Sequence, residues 1–165
     1  MSPERLWLIS IALRKRGFKR TALLVKKLNS VIYHNSLAPA ARVSPDISFG
    51  HHGFGTMIHS NVEIGRGVKI WHNVTIAVRS TSAWATPHGI MIEDEVSIGA
   101  NAVIVSPHEQ TLRIGRGARI GAGAVVTKDV PAGATVVSAS VRVLLRDQPA
   151  AEGSGAADIS GGFEA

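Results

Sequence analysis

The residues able to do chemistry here are histidines. The chain of 165 residues carries seven of them and no cysteine, which excludes a thiolate nucleophile, a disulfide frame and a Cys-ligated metal. Two stand side by side in Gly50-His51-His52-Gly53, and two more, His72 and His88, follow in Trp71-His72-Asn73 and Thr86-Pro87-His88-Gly89. An imidazole with an ordinary pKa of about 6.5 is neutral yet basic at cellular pH, which suits it to take a proton from a hydroxyl. The competing reading of a Gly-flanked His pair is a ring held within a tight turn. No regular ligand spacing and no clustered carboxylate accompany the histidines, so no metal site is expected.

What must position these side chains is a repeat. An aliphatic residue returns every sixth position at Ile58, Ile64, Ile70 and Ile76, with Val62, Val68 and Val74 at the fifth position of each unit. The period resumes at Ile92, Ile98 and Ile104, and again at Ile114, Ile120 and Val126. Six fits neither a helix nor an alternating strand; it is the period of a parallel β-helix, in which each hexad forms a short strand plus a turn and three hexads close one coil. Leu37, Val43 and Phe49 begin the series. The spacing then breaks, because Phe49 to Ile58 is nine residues, and the three extra residues fall around the His pair. If they are confined to that loop, His51 lies one coil before His72 and the two stack on one face. A register break held by a rigid scaffold is where a site is expected. Two further interruptions are expected as external turns, Ala77 to Met91 and Ser106 to Thr111, and residues 129 to 146 are expected to run off the coil.

The composition suits narrow coils, since 45% of residues are apolar but only 5% aromatic. Of the net charge of +6, the excess sits at the start: through residue 46 there are nine Lys/Arg against Glu4 and Asp46. Residues 4 to 33 read as helix in two pieces broken at Gly17, the first with Leu6, Ile9 and Leu13 on its apolar side, the second with Leu24, Leu28 and Val31. Their apolar faces are expected to pack on the end of the β-helix. The other reading is a basic amphipathic segment lying on an anionic membrane surface. The longest apolar run is far short of the ~20 residues that span a bilayer, and no cleavage site for a signal peptide follows it, so the expected location is cytoplasmic, with any membrane contact peripheral. The basic residues lack aromatic interleaving and any recognised motif, so no nucleic-acid role is expected. The expected organisation is a helical lead-in over 1–36, a β-helix domain over 37–146 and a disordered Ala/Gly/Ser/Glu tail over 147–165.

In order, the chain shows a basic helical lead-in, GHHGFGTMI, clean hexads ending HNVTI, a loop with TPHG, then EVSIGANAVI and IGRGARIGAGAVVTKDVPAGATVV. Over roughly residues 5 to 145 it resembles the hexapeptide-repeat acyltransferases, and within them the serine acetyltransferase-like group that includes colanic-acid and capsular polysaccharide O-acetyltransferases, to which it looks closest. The resemblance implies a left-handed parallel β-helix, a homotrimer, acetyl-CoA as donor and active sites between neighbouring subunits. It implies His52 as the general base and His88 as the second catalytic histidine, which contacts the acceptor. His51 stands where serine acetyltransferases place an orienting Asp, so His51 and His72 are expected to orient His52 or bind the acceptor. Ala100, Ala122, Thr127 and Lys128 match positions that contact CoA, the small residues beside the pantetheine arm and the lysine at a phosphate. Only Arg142 survives of the G-x-P-A-R element that usually ends the family pattern.

The expected activity is therefore acetyl-CoA-dependent O-acetylation of a sugar hydroxyl in exopolysaccharide or capsule biosynthesis, by direct transfer. The alternatives are serine O-acetylation for cysteine biosynthesis and a non-enzymatic β-helix scaffold. Against serine stand the short lead-in, the missing Asp and a chain ending Phe163-Glu164-Ala165 without a terminal Ile.

Overall fold

The computed structural model describes residues 1–79 and 89–138. Two helices, α1 (Pro3–Lys15) and α2 (Lys19–Tyr33), precede fourteen short strands. These are β1 (Ser36–Leu37), β2 (Arg42–Val43), β3 (Ser48–Phe49), β4 (Met57–Ile58), β5 (Val62–Ile64), β6 (Lys69–Ile70), β7 (Thr75–Ala77), β8 (Ile90–Ile92), β9 (Ser97–Ile98), β10 (Val103–Val105), β11 (Leu112–Ile114), β12 (Arg119–Ile120), β13 (Val125–Val126) and β14 (Thr135–Val136). Each strand from β1 to β10 pairs in parallel with the third one on, and β12 pairs with β14, giving three sheets: β1-β4-β7-β10-β13, β2-β5-β8-β11 and β3-β6-β9-β12-β14. These are the first, second and third faces of a triangular β-helix, as the six-residue period predicts.

The register explains why the period is six. Leu37, Ile58, Ile76, Ile104 and Val126 stack through the first face, Val43, Ile64, Ile92 and Ile114 through the second, and Phe49, Ile70, Ile98, Ile120 and Val136 through the third. Ile58, Ile70, Ile76, Ile98 and Ile104 are fully buried in this column, and each contributes about 1.5–3 kcal/mol of apolar burial. The Val or Ala at the fifth position of the hexad (Val68, Val74, Val96, Ala102, Ala118) fills the corner beside it. Glycines that follow the stacked residue serve a close approach between coils: a Cβ on Gly99 would stand 2.6 Å from the backbone nitrogen of Ala122.

The coil continues further than expected. Val130 bridges Ile114 and β14 pairs with β12, so residues 129 to 136 belong to a fifth coil; Val130 follows Val126 by four residues instead of six, and that shortened step hides the period. The first interruption is narrower than expected, since Ala77 closes β7 and Ile90 opens β8. Ser106 to Thr111 do form a turn outside the register, between β10 and β11. Trp84, His88, Arg142 and the expected tail lie outside the described residues.

The helices also depart from expectation. Helix α1 starts at Ser2, whose side chain accepts from the Arg5 N–H, and ends before Gly17, at φ +89°. It buries Leu6, Trp7, Ser10 and Ile11 and leaves Ile9 outside. The reason is Trp7, which caps the open end of the coil: its ring stacks on Phe49 at 5.9 Å and its Nε1–H donates to the Ala38 carbonyl at 2.9 Å. Glu4 adds a second tie, accepting from the Phe49 N–H at 2.9 Å. Helix α2 packs through Ala22 and Asn29, and Leu24, Leu28 and Val31 face outward, away from the coil they were expected to cover.

Candidate active site

Directly after β3 the chain makes a single 3-10 turn, Gly50–Gly53, that projects both histidines outward. His51 (φ 49°, ψ 41°) and His52 (φ 57°, ψ 20°) are both left-handed, a conformation that costs a side-chain-bearing residue roughly 1–2 kcal/mol each. The surroundings impose it. Gly50 lies flat on the Trp71 indole, where a Cβ would come within 3.0 Å of Cδ1, and Gly53, at φ +59°, sits against the Phe49 ring. The Gly55 N–H donates to the His34 carbonyl at 3.1 Å, the Asn73 N–H to the Phe54 carbonyl at 2.7 Å, and the buried Thr56 hydroxyl to the Trp71 carbonyl at 3.2 Å. The three extra residues are thus absorbed in the turn, and Ile58 returns to register with Leu37.

His51 and His72 meet as the spacing predicts. Their rings are edge to face with centroids 5.0 Å apart. His72 Nδ1 is buried and has no hydrogen-bond partner among the described residues, an expensive arrangement for a polar atom unless function uses it. His52 turns the other way and lies against Tyr33 at 5.9 Å. Tyr33 and His34, which packs on Phe54 at 5.1 Å, close α2 beside the turn. Neither was singled out from sequence, although an aromatic-His pair just before the first hexad is a visible signal.

The donor residues divide. Since Ile70, Ile98 and Ile120 are in register, His72, Ala100 and Ala122 occupy equivalent places in successive turns between the third and first faces. Backbone bonds tie them, Asn101 N–H to the His72 carbonyl at 3.1 Å and Gly123 N–H to the Ala100 carbonyl at 2.8 Å. Hence His51, His52, His72, Ala100 and Ala122 share one edge of the prism. Thr127 and Lys128 are exposed but lie between β13 and the Val130 bridge, on the edge between the first and second faces. His88 lies outside the described residues.

Electrostatic anchors sit elsewhere. Asp94 is held below the usual carboxylate range by the Arg66 N–H at 2.7 Å and by the Arg66 guanidinium. Burial pushes the His59 imidazole below its ordinary value, and its Nδ1 accepts from the Asn61 N–H at 3.2 Å, which fixes the proton on Nε2. A groove on the second face between Arg42 and Met91 lies away from the His turn; the turn rather than that groove carries the imidazoles. Among the described residues no group of three His, Asp or Glu could hold a metal ion. The arrangement can take a proton from an acceptor hydroxyl at the end of a small-residue edge.

No family model matches the chain. It is 31% identical over 137 residues to a serine acetyltransferase of Helicobacter pylori, covering 83% of this chain and 76% of that one. The Neisseria gonorrhoeae serine acetyltransferase, solved in complex with serine, superposes with a TM-score of 0.72 at 29% identity, over 86% of this chain and 55% of that one. The Brucella abortus serine acetyltransferase, solved with coenzyme A, superposes at 0.71 and 28% identity, over 84% and 52%. The chain thus spans about half the length of these solved structures. The relatives overturn the expectation of a sugar acceptor in polysaccharide biosynthesis: what they acetylate is serine. A histidine before the expected base, which pointed away from serine, was too local a feature to decide the acceptor.

Proposed function

The chain belongs to the serine acetyltransferase family of hexapeptide-repeat acyltransferases, and from that premise we propose that it moves the acetyl group of acetyl-CoA to the hydroxyl of serine. His52 takes the hydroxyl proton as oxygen attacks the thioester carbonyl, and returns it to the departing CoA sulfur as the C–S bond breaks; no covalent acyl-enzyme and no metal take part. His51, edge to face with His72, holds the turn and the imidazole beside it. The pantetheine arm runs along Ala100 and Ala122, whose small side chains leave the edge open. The observation that carries this reading is two consecutive left-handed histidines at the head of that edge, strain that a merely structural turn would relieve with glycine.

Thr127 and Lys128 lie on another edge, so they reach the same CoA from a neighbouring copy. Kinship supports a left-handed winding and a homotrimer. So does the first face: its outward ladder Ser36, Met57, Thr75, Val103 and Val125 carries no charge, whereas the second presents Arg42, Glu63 and Arg113 and the third Lys69 and Arg119. The test is thiol release from acetyl-CoA with and without L-serine. Serine-dependent release is expected; binding of acetyl-CoA with no turnover on serine overturns the acceptor, and no binding at all leaves a scaffold.

A further inference from the structure

Helix α2 is left with a bare apolar stripe. Leu24 is 67% exposed, Leu28 50%, Val31 75% and Ile32 52%, and they recur at helical spacing on the side opposite the buried Ala22 and Asn29. Arg20 and Lys27 border the stripe, Arg14, Lys15, Arg16 and Lys19 lie at its head, and no Asp or Glu occurs between Glu4 and Asp46. Four exposed aliphatic side chains rimmed only by cations call for an occupant that is apolar inside and anionic at its surface.

We propose that α2 docks this protein on an anionic lipid surface, its aliphatic stripe entering the headgroup boundary and its lysines and arginines meeting lipid phosphates. The helix is too short and too polar to cross a bilayer, so it lies in the plane. A second copy of the chain is a poorer occupant. Stripe against stripe brings the Arg20 and Lys27 of both copies together with no carboxylate on the helix to offset them. Nor do the described residues offer an acidic patch elsewhere: Glu63, Glu93, Asp94 and Glu95 are each ion-paired to an arginine, Glu4, Asp46 and Asp129 accept hydrogen bonds, and Glu109 alone is left. The uncharged first face, described above, is a separate surface.

The experiment is co-sedimentation of the full chain with phosphatidylcholine vesicles made with and without phosphatidylglycerol. Two variants accompany it, Leu24→Ser/Leu28→Ser/Val31→Ser and Arg20→Gln/Lys27→Gln; all five side chains are exposed, and melting temperature and acetyl transfer in solution are expected to stay as in the parent. The parent is expected to bind the anionic vesicles at least ~10-fold more tightly than the neutral ones, and each variant to lose ~10-fold or more of that binding. Equal binding by parent and serine variant, or no binding of the parent to anionic vesicles, overturns the proposal. So does a serine variant that keeps vesicle binding but falls apart in light scattering, which makes the stripe an interface between copies.

Discussion

The edge-to-face contact of His51 and His72, 5.0 Å between centroids, joins two coils through side chains twenty-one residues apart in the chain. His52 instead faces Tyr33. His52→Ala is expected to lower acetyl transfer by ~10²-fold or more while acetyl-CoA binding survives. His51→Ala and His72→Ala are expected to cost less, and the double variant no more than the worse single, because a stacked pair acts as one unit. Steady-state kinetics of the four proteins decide it; a larger loss at His51 than at His52 moves the base to the imidazole that His72 supports.

Ala100 stands on the proposed donor edge one coil beyond His72. Ala100→Leu is expected to raise the KM for acetyl-CoA about tenfold with little change in kcat or melting temperature, since uniform binding is what is lost. An unchanged KM removes the pantetheine from this edge.

Lys128 and His52 occupy different edges of one chain. Lys128→Ala is expected to raise the KM for acetyl-CoA, more at low salt than at high. Mixed and reassembled with His52→Ala, it is expected to yield sites that have both residues intact, with low-KM activity above that of either variant alone. No gain on mixing rules out a site shared between copies.

Gly99 approaches the backbone of Ala122 so closely that a methyl group has no room. Gly99→Ala is expected to lower stability by about 1–3 kcal/mol, read from urea unfolding, because backbone and not a flexible side chain must move. A neutral result would show that the coils can separate by several tenths of an ångström.

The Asp94 carboxyl, held down by the Arg66 N–H and guanidinium, stabilises the fold in its ionised form. A folded-state value below the unfolded one of about 3.9 means that this stabilisation is present above that pH and is lost as pH falls through the folded value. Asp94→Asn is therefore expected to lower the melting temperature at neutral pH, with the gap closing under strongly acid conditions. A gap that persists in acid would assign the loss to packing.

Much of this architecture is legible in residue order because a β-helix is built from local repeats. Ile58, Ile64 and Ile70 each define one face, and stacking needs only equal spacing, so the coil, its start at Leu37 and the meeting of His51 with His72 follow from counting. The fifth coil was hidden because the step from Val126 to Val130 is four residues instead of six. Periodicity carries no information on the acceptor, since every coil needs the same aliphatic column whatever binds outside it. Long-range placement had to come from the folded chain. Trp7 seats α1 on the open end of the coil through Phe49 and Ala38, and α2 packs through Ala22 and Asn29, so that Leu24, Leu28 and Val31 stay in solvent. The left-handed backbone of His51 and His52, which sends one imidazole to His72 and the other to Tyr33, is flanked by Gly50 against Trp71 of the next coil, a contact that exists only once neighbouring coils meet.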